Sequence, residues 1–138
     1  MRTVRDVMTA KPVALQSGTT LVDAARAMRD HDVGNVLVLD NDQVRGIVTD
    51  RDIAVRAVAE GRDPRSTVLA EVSSVEVVCV PPGELLDRAV ELMREHAVRR
   101  LPVVAGGKPV GIVALGDLAL ERDRDSALAA VSAAPPND

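Results

Sequence analysis

The feature that most constrains this chain is that it repeats itself. Shifted by 65 positions, the 138-residue sequence pairs Val7 with Val72, Val13 with Val78, Gly18 with Gly83, Leu21 with Leu86 and Ala24 with Ala89. The register continues without a gap through Met28/Met93, Arg29/Arg94, His31/His96, Val33/Val98 and Val38/Val103, then Gly46-Ile47-Val48 against Gly111-Ile112-Val113, Asp52/Asp117 and Ala54/Ala119. Fifteen identities between positions 7 and 54 establish a duplication, so whatever one copy folds into, the other must fold into as well.

Each copy predicts the same elements. A short apolar strand (Val13 to Leu15; Val77 to Val80) leads to a helix with apolar residues at Leu21, Ala24, Ala25 and Met28, and again at Leu86, Ala89, Val90 and Met93. Thr20 with Asp23 three residues later marks the first helix start. Two strands follow, Asn35 to Asp40 and Val44 to Thr49 around Asn41-Asp42, then Leu101 to Val104 and Pro109 to Ala114 around Gly106-Gly107, each pair a predicted hairpin. A second helix starts near Asp50 and runs past Val58 to Gly61, and its counterpart runs from Asp117 to about Val131. The order β-α-β-β-α thus occurs twice, with repeat one over 1–62, a connecting helix over 63–71 beginning at Asp63-Pro64, repeat two over 72–131 and a disordered tail over 132–138.

Composition narrows the function. Hydrophobic residues reach 46% without a single Phe, Tyr or Trp, so the core is aliphatic and there is no ring on which a nucleobase could stack. A net charge of −4 gives no field to draw nucleic acid or an anionic membrane. One cysteine, Cys79, excludes an intramolecular disulfide and a cysteine metal cluster. The opening MRTVRDVM has no apolar signal segment and no run suits a membrane span, so a cytoplasmic protein is expected.

The duplication, the element order and the phrase Gly-Ile-Val-Thr-Asp-Arg-Asp over 46–52 resemble the cystathionine-β-synthase (CBS) domain family, whose members occur as tandem pairs called Bateman modules. The stretches TDRDI, EGRDP and HAVRRLPVV are most similar to small stand-alone bacterial CBS-pair proteins. The resemblance implies an α/β (α+β) fold in which two repeats pack about a pseudo-two-fold axis. It also implies two clefts that in many members bind adenine nucleotides, and a homodimer.

In the family pattern, a glycine, an apolar residue, a hydroxyl and an acidic residue contact the ligand. Copy one carries it in full as Gly46, Ile47, Thr49 and Asp52; copy two keeps Ile112 and Asp117 but has Ala114 in place of the hydroxyl. The resemblance places the acidic side chain against ribose hydroxyls, which a carboxylate can accept from in pairs. Thr49 with Asp52 is equally a helix-capping arrangement that needs no ligand. Arg51, and Arg99-Arg100 where copy one has Gly34-Asn35, would reach a phosphate by the same analogy, or else are solvated surface residues. Backbone around Ala10 to Val13 and Val75 to Val78 resembles the segment that reads the adenine edge, although Val13 and Val78 also suit a plain core. Gly46 suits a strand glycine too.

His31 and His96 are repeat equivalents without a ligand-spaced companion, and Cys79 sits among valines as a small hydrophobe. Neither a nucleophile elbow nor a phosphate loop is present, so no enzymatic activity and no metal are expected. The reading is a ligand-sensing regulatory module that requires no cofactor and takes AMP, ADP or ATP as its regulatory ligand, acting on a separate protein target. Its alternative is a constitutive dimer or partner-binding protein with empty clefts. Loss of the hydroxyl at Ala114 predicts two unequal sites.

Overall fold

The computed structural model describes residues 2–73 and 77–122. Its elements run α1 (Val4–Val7), β1 (Thr9–Ala10), β2 (Ala14–Gln16), α2 (Leu21–His31), β3 (Asn35–Asp40), β4 (Gln43–Thr49) and α3 (Asp50–Ile53), which continues into a π-helical turn, Ala54–Val58. Then come α4 (Leu69–Val72), α5 (Leu86–His96), β5 (Arg100–Ala105), β6 (Lys108–Ala114) and α6 (Leu115–Arg122). The fold is mixed α/β and built twice. The expected extension of the last helix to Val131, the tail over 132–138 and the position Val75 lie outside the described residues.

The chain divides into two units. One comprises residues 11–73, 77 and 104–110 of the described chain, and its sheet has the order β2-β3-β4. β2 runs parallel to β3, and β3 pairs antiparallel with β4 from Asn35 opposite Thr49 to Asp40 opposite Gln43. The hairpin turns at Asn41 and Asp42, both with positive φ, the backbone that Asn and Asp tolerate best among side-chain-bearing residues. A bulge after Val38 drops Arg45 out of register. Against the sheet, the stripe Leu21, Ala24 and Met28 of α2 packs with Val36, Val38, Val48, Leu69 and Val72, all buried. Thr20 caps α2 by accepting from the Asp23 amide at 3.3 Å.

The other unit comprises residues 2–10, 78–103 and 111–122 of the described chain, with strand order β1-β6-β5. Its buried residues repeat the pattern at the 65-residue shift: Leu86, Ala89, Met93, Leu101, Val103 and Val113. One expected element is reduced. Val77 to Val80 was predicted as a strand, yet only Val80 bridges β5, parallel, at Val103. Copy one secures β2 through the Leu37 amide, which donates to the Val13 carbonyl at 2.8 Å. The equivalent residue in copy two is Pro102, which has no N–H to give.

The short helix α1 lies outside the expected elements, α4 falls at the end of the span expected as a connecting helix, and together they explain the composition of the two units. The amides of Val4 and Arg5 donate to the carbonyls of Glu84 and Pro82 at 2.9 and 3.0 Å. The amides of Leu69 and Ala70 donate to Thr19 and Ser17 at 2.9 and 3.0 Å. These four bonds are equivalent under the repeat. Each strap segment therefore docks on the helix start of the other copy, and each pairs there through a single bridge, Thr3 with Leu85 and Val68 with Thr20. The segment expected as a connecting helix over 63–71 holds a turn, closed by the amides of Ser66 and Thr67 on the Asp63 carbonyl, followed by α4.

The second helix of copy one also differs from its expected regular form. The amides of Ala59 and Arg62 reach five residues back, to Ala54 and Ala57. A π turn changes the phase of a helix, and here only Ala57 of its five residues is buried while Val55 and Val58 are 48% and 63% exposed.

Candidate functional site

The sequence pattern Gly46, Ile47, Thr49, Asp52 lies along the last half of β4 and the first turn of α3. Gly46 is opposite Val38 beside the bulge, Ile47 is opposite Leu37, and Thr49 ends the strand opposite Asn35. Thr49 then caps α3 reciprocally with Asp52. The Thr49 amide donates to Asp52 Oδ2 at 2.9 Å, and the Asp52 amide donates to Thr49 Oγ1 at 3.1 Å. The capping role weighed from sequence is thus present in full. It uses one carboxylate oxygen. The other, Oδ1, stands 3.8 Å from Arg56 Nε, beyond hydrogen-bond distance, in a half-buried setting.

Copy two builds the same turn with less. The Ala114 amide donates to Asp117 Oδ2 at 3.0 Å, and Ala114 has no hydroxyl to accept in return. Ile112 is buried opposite Thr9 of β1. Its neighbour Gly111 is held glycine by close approach, since a Cβ there would lie 2.5 Å from Met8 Sδ and 2.8 Å from the Thr9 carbonyl oxygen.

The remaining expected residues divide between the two units. Val13 is half-buried just before β2, and its carbonyl accepts from the Leu37 amide. Val78 is half-buried just before the single bridge at Val80. Arg51 is exposed, its amide donating to Asp50 Oδ1 at 2.8 Å. Arg99 and Arg100 are exposed where β5 begins, and the Arg99 carbonyl accepts from Leu115 at 2.8 Å.

That last bond has a counterpart in copy one, where the Asp50 amide donates to Gly34 at 2.9 Å. It exposes a pair that sequence reasoning missed. The Asp50 carboxylate lies 3.2 Å from where a Gly34 Cβ would sit. Copy one therefore carries glycine with a carboxylate, and copy two arginine with Leu115, at corresponding positions. Aligning positions 34 and 50 together with 99 and 115 would have revealed the exchange.

His31 and His96 are exposed in the last turns of α2 and α5. Among the described residues no three His, Cys, Asp or Glu side chains gather as a metal site would require. Burial pushes the Cys79 thiol above its usual range. Among the described residues no helix is long and apolar enough to cross a membrane.

The sequence profile of the CBS domain matches twice, over residues 4–58 and 69–123. The chain belongs to the CBS domain family. Both matches begin with the strap helices, so the CBS repeat in this chain takes in α1 and α4. CBS domain-containing protein YhcV of Bacillus subtilis (strain 168) is 43% identical over 122 residues, 88% of this chain and 86% of that protein. Hypoxic response protein 1 of Mycobacterium tuberculosis is 36% identical over 120 residues, 86% of this chain and 84% of that protein. The crystal structure of that CBS-pair protein, with two coordinated zinc ions, superimposes with a TM-score of 0.78 at 35% identity, covering 88% of this chain and 99% of the other. The CBS domain pair of protein MJ0100, in complex with 5′-methylthioadenosine and S-adenosyl-L-methionine, gives a TM-score of 0.80 at 23% identity, covering 91% of this chain and 99% of the other.

Proposed function

We propose that this CBS pair is a non-catalytic sensor of an adenine nucleotide or related adenosine derivative, bound through the Asp52 carboxylate of repeat one and, more weakly, through Asp117 of repeat two. The observation that carries the reading is the half-used carboxylate of Asp52. Its cap engages Oδ2 alone, so Oδ1 remains to accept from a ribose hydroxyl without cost to the fold. Gly46, Ile47 and Thr49 lead the chain to this point, while Ile112 does so in repeat two. Arg51, on the Asp52 turn, and Arg99 and Arg100, at the start of β5, are the cations for a phosphate. Val13 and Val78 supply apolar enclosure, with backbone beside them for the base. The adenosine compounds in the MJ0100 pair support this ligand class.

The two sites are unequal in this reading. Repeat two lacks the threonine hydroxyl but carries two arginines where repeat one has Gly34 and Asn35. The module also self-associates through the exposed apolar turn around Val55 and Val58. It acts in the cytoplasm on a separate protein target, the ligand shifting the balance between shapes of the pair.

Thermal unfolding with AMP, ADP, ATP, NAD, 5′-methylthioadenosine and S-adenosylmethionine tests the proposal. A ligand at about 100 times its Kd adds about 2.7 kcal/mol to stability. D52A removes more of that gain than D117A. No shift with any of the six, together with a dimer by sedimentation, would establish the alternative of a constitutive dimer with empty clefts.

A further inference from the structure

Arg56 joins the second helix of repeat one to the strap helix α4, with which repeat two begins. Its Nε faces Asp52 Oδ1 at 3.8 Å, and its Nη1 donates to the Val72 carbonyl at 3.2 Å. Val72 ends α4, the strap whose Leu69 and Ala70 amides dock on Thr19 and Ser17. One guanidinium therefore joins the carboxylate of the candidate site to the strap that follows repeat one. A planar fork can serve two acceptors at once, which a lysine ammonium does less well.

Repeat two reverses the charge. The residue equivalent to Arg56 is Glu121, and it pairs with Arg2 at 2.8 Å. Asp117 therefore has an acidic residue one turn on where Asp52 has a basic one. The cation of the bridge is supplied by repeat one alone.

We propose that Arg56 is a positioning residue: it orients Asp52 Oδ1 for a ribose hydroxyl and transmits occupancy of that oxygen to the α4 strap through the Val72 carbonyl. The inference rests on the nucleotide reading above. With Oδ1 unoccupied, the guanidinium is shared between carboxylate and carbonyl. A hydroxyl donating to Oδ1 satisfies the carboxylate and leaves the guanidinium to the Val72 carbonyl, which tightens the strap.

Calorimetric titration with AMP and amide hydrogen exchange at Leu69 and Ala70 test this on the full chain, comparing wild type with R56Q and R56K. In the wild type AMP slows exchange at both amides. R56Q weakens AMP about tenfold, because the Asp52 carboxylate is no longer held by the cation beside it, and abolishes the slowing. R56K keeps the charge near Asp52 and so holds affinity within about threefold, but it loses the fork and with it the slowing. Should R56Q fail to fold, the split in R56K between retained affinity and lost slowing decides the matter alone. R56Q binding within about twofold of wild type, or slowing that persists in either variant, overturns the proposal. A wild type that binds no AMP, seen in the first titration alone, overturns the adenine-nucleotide reading and this inference with it.

Discussion

Ala114 gives its amide to the Asp117 carboxylate at 3.0 Å, the bond that Thr49 gives Asp52 at 2.9 Å, although only Thr49 has a hydroxyl to complete the exchange. Helix capping thus accounts for an acidic residue in both copies without a ligand. Restoring the missing half should stabilise repeat two. A114T is expected to raise stability by about 0.5–1 kcal/mol, and T49A to lower it by about 1 kcal/mol, in ligand-free denaturant titrations. An A114T protein no more stable than wild type would mean that the Asp117 amide gains nothing from a hydroxyl at this turn.

A second expectation concerns the ends of the repeated helices. Asp32 after α2 and Ala97 after α5 both take the left-handed conformation, with φ of 53° and 54°. The turn closes identically, through their amides on Met28 and Arg29 and on Met93 and Arg94. Asp adopts this backbone more readily than Ala, whose Cβ crowds the neighbouring carbonyl at a cost of roughly 1–2 kcal/mol. A97G is therefore expected to stabilise the protein by about 1 kcal/mol, and D32G by less. Thermal unfolding of the two variants side by side measures the difference, and equal effects would count against strain at Ala97.

Much of this architecture was legible because the sequence states it twice. The spacing of Leu21, Ala24 and Met28 located α2, Asn41-Asp42 located the hairpin, and the shift by 65 carried both to copy two. The straps were not legible as docked single turns, although a helix was expected over 63–71, for a physical reason. Val4–Val7 and Leu69–Val72 are each a single helical turn, too short to display a period. Their stability comes from docking on a distant segment, as Val4 does on Glu84. Pro102 is the opposite case. It was visible in the sequence, and comparing it with Leu37 would have shown that the strand at Val77 to Val80 loses its backbone donor. At the candidate site, Thr49 and Asp52 were readable as cap and ligand alike. The fork of Arg56 was hinted at only by its place four residues after Asp52, since its bond to Val72 crosses sixteen residues.

The strap helix α1 supplies a dependence on pH. The Asp6 carboxylate accepts from the Thr3 amide at 2.8 Å, and this bond holds its carboxyl below the usual range. The Arg65 amide, at 2.9 Å, does the same for Asp63 in the turn before α4. A carboxyl lowered in the folded state contributes stability that is present above its unfolded value, about 3.9, and is lost as pH falls through the lower folded value. Both groups are exposed, so the effect is modest and weakened by salt. Melting temperatures of wild type and a D6N/D63N double variant, followed from about pH 5 to 2.5, should therefore differ most at the upper end and converge as the pH falls. Curves that stay parallel across that range would show that neither carboxylate is held below its ordinary value.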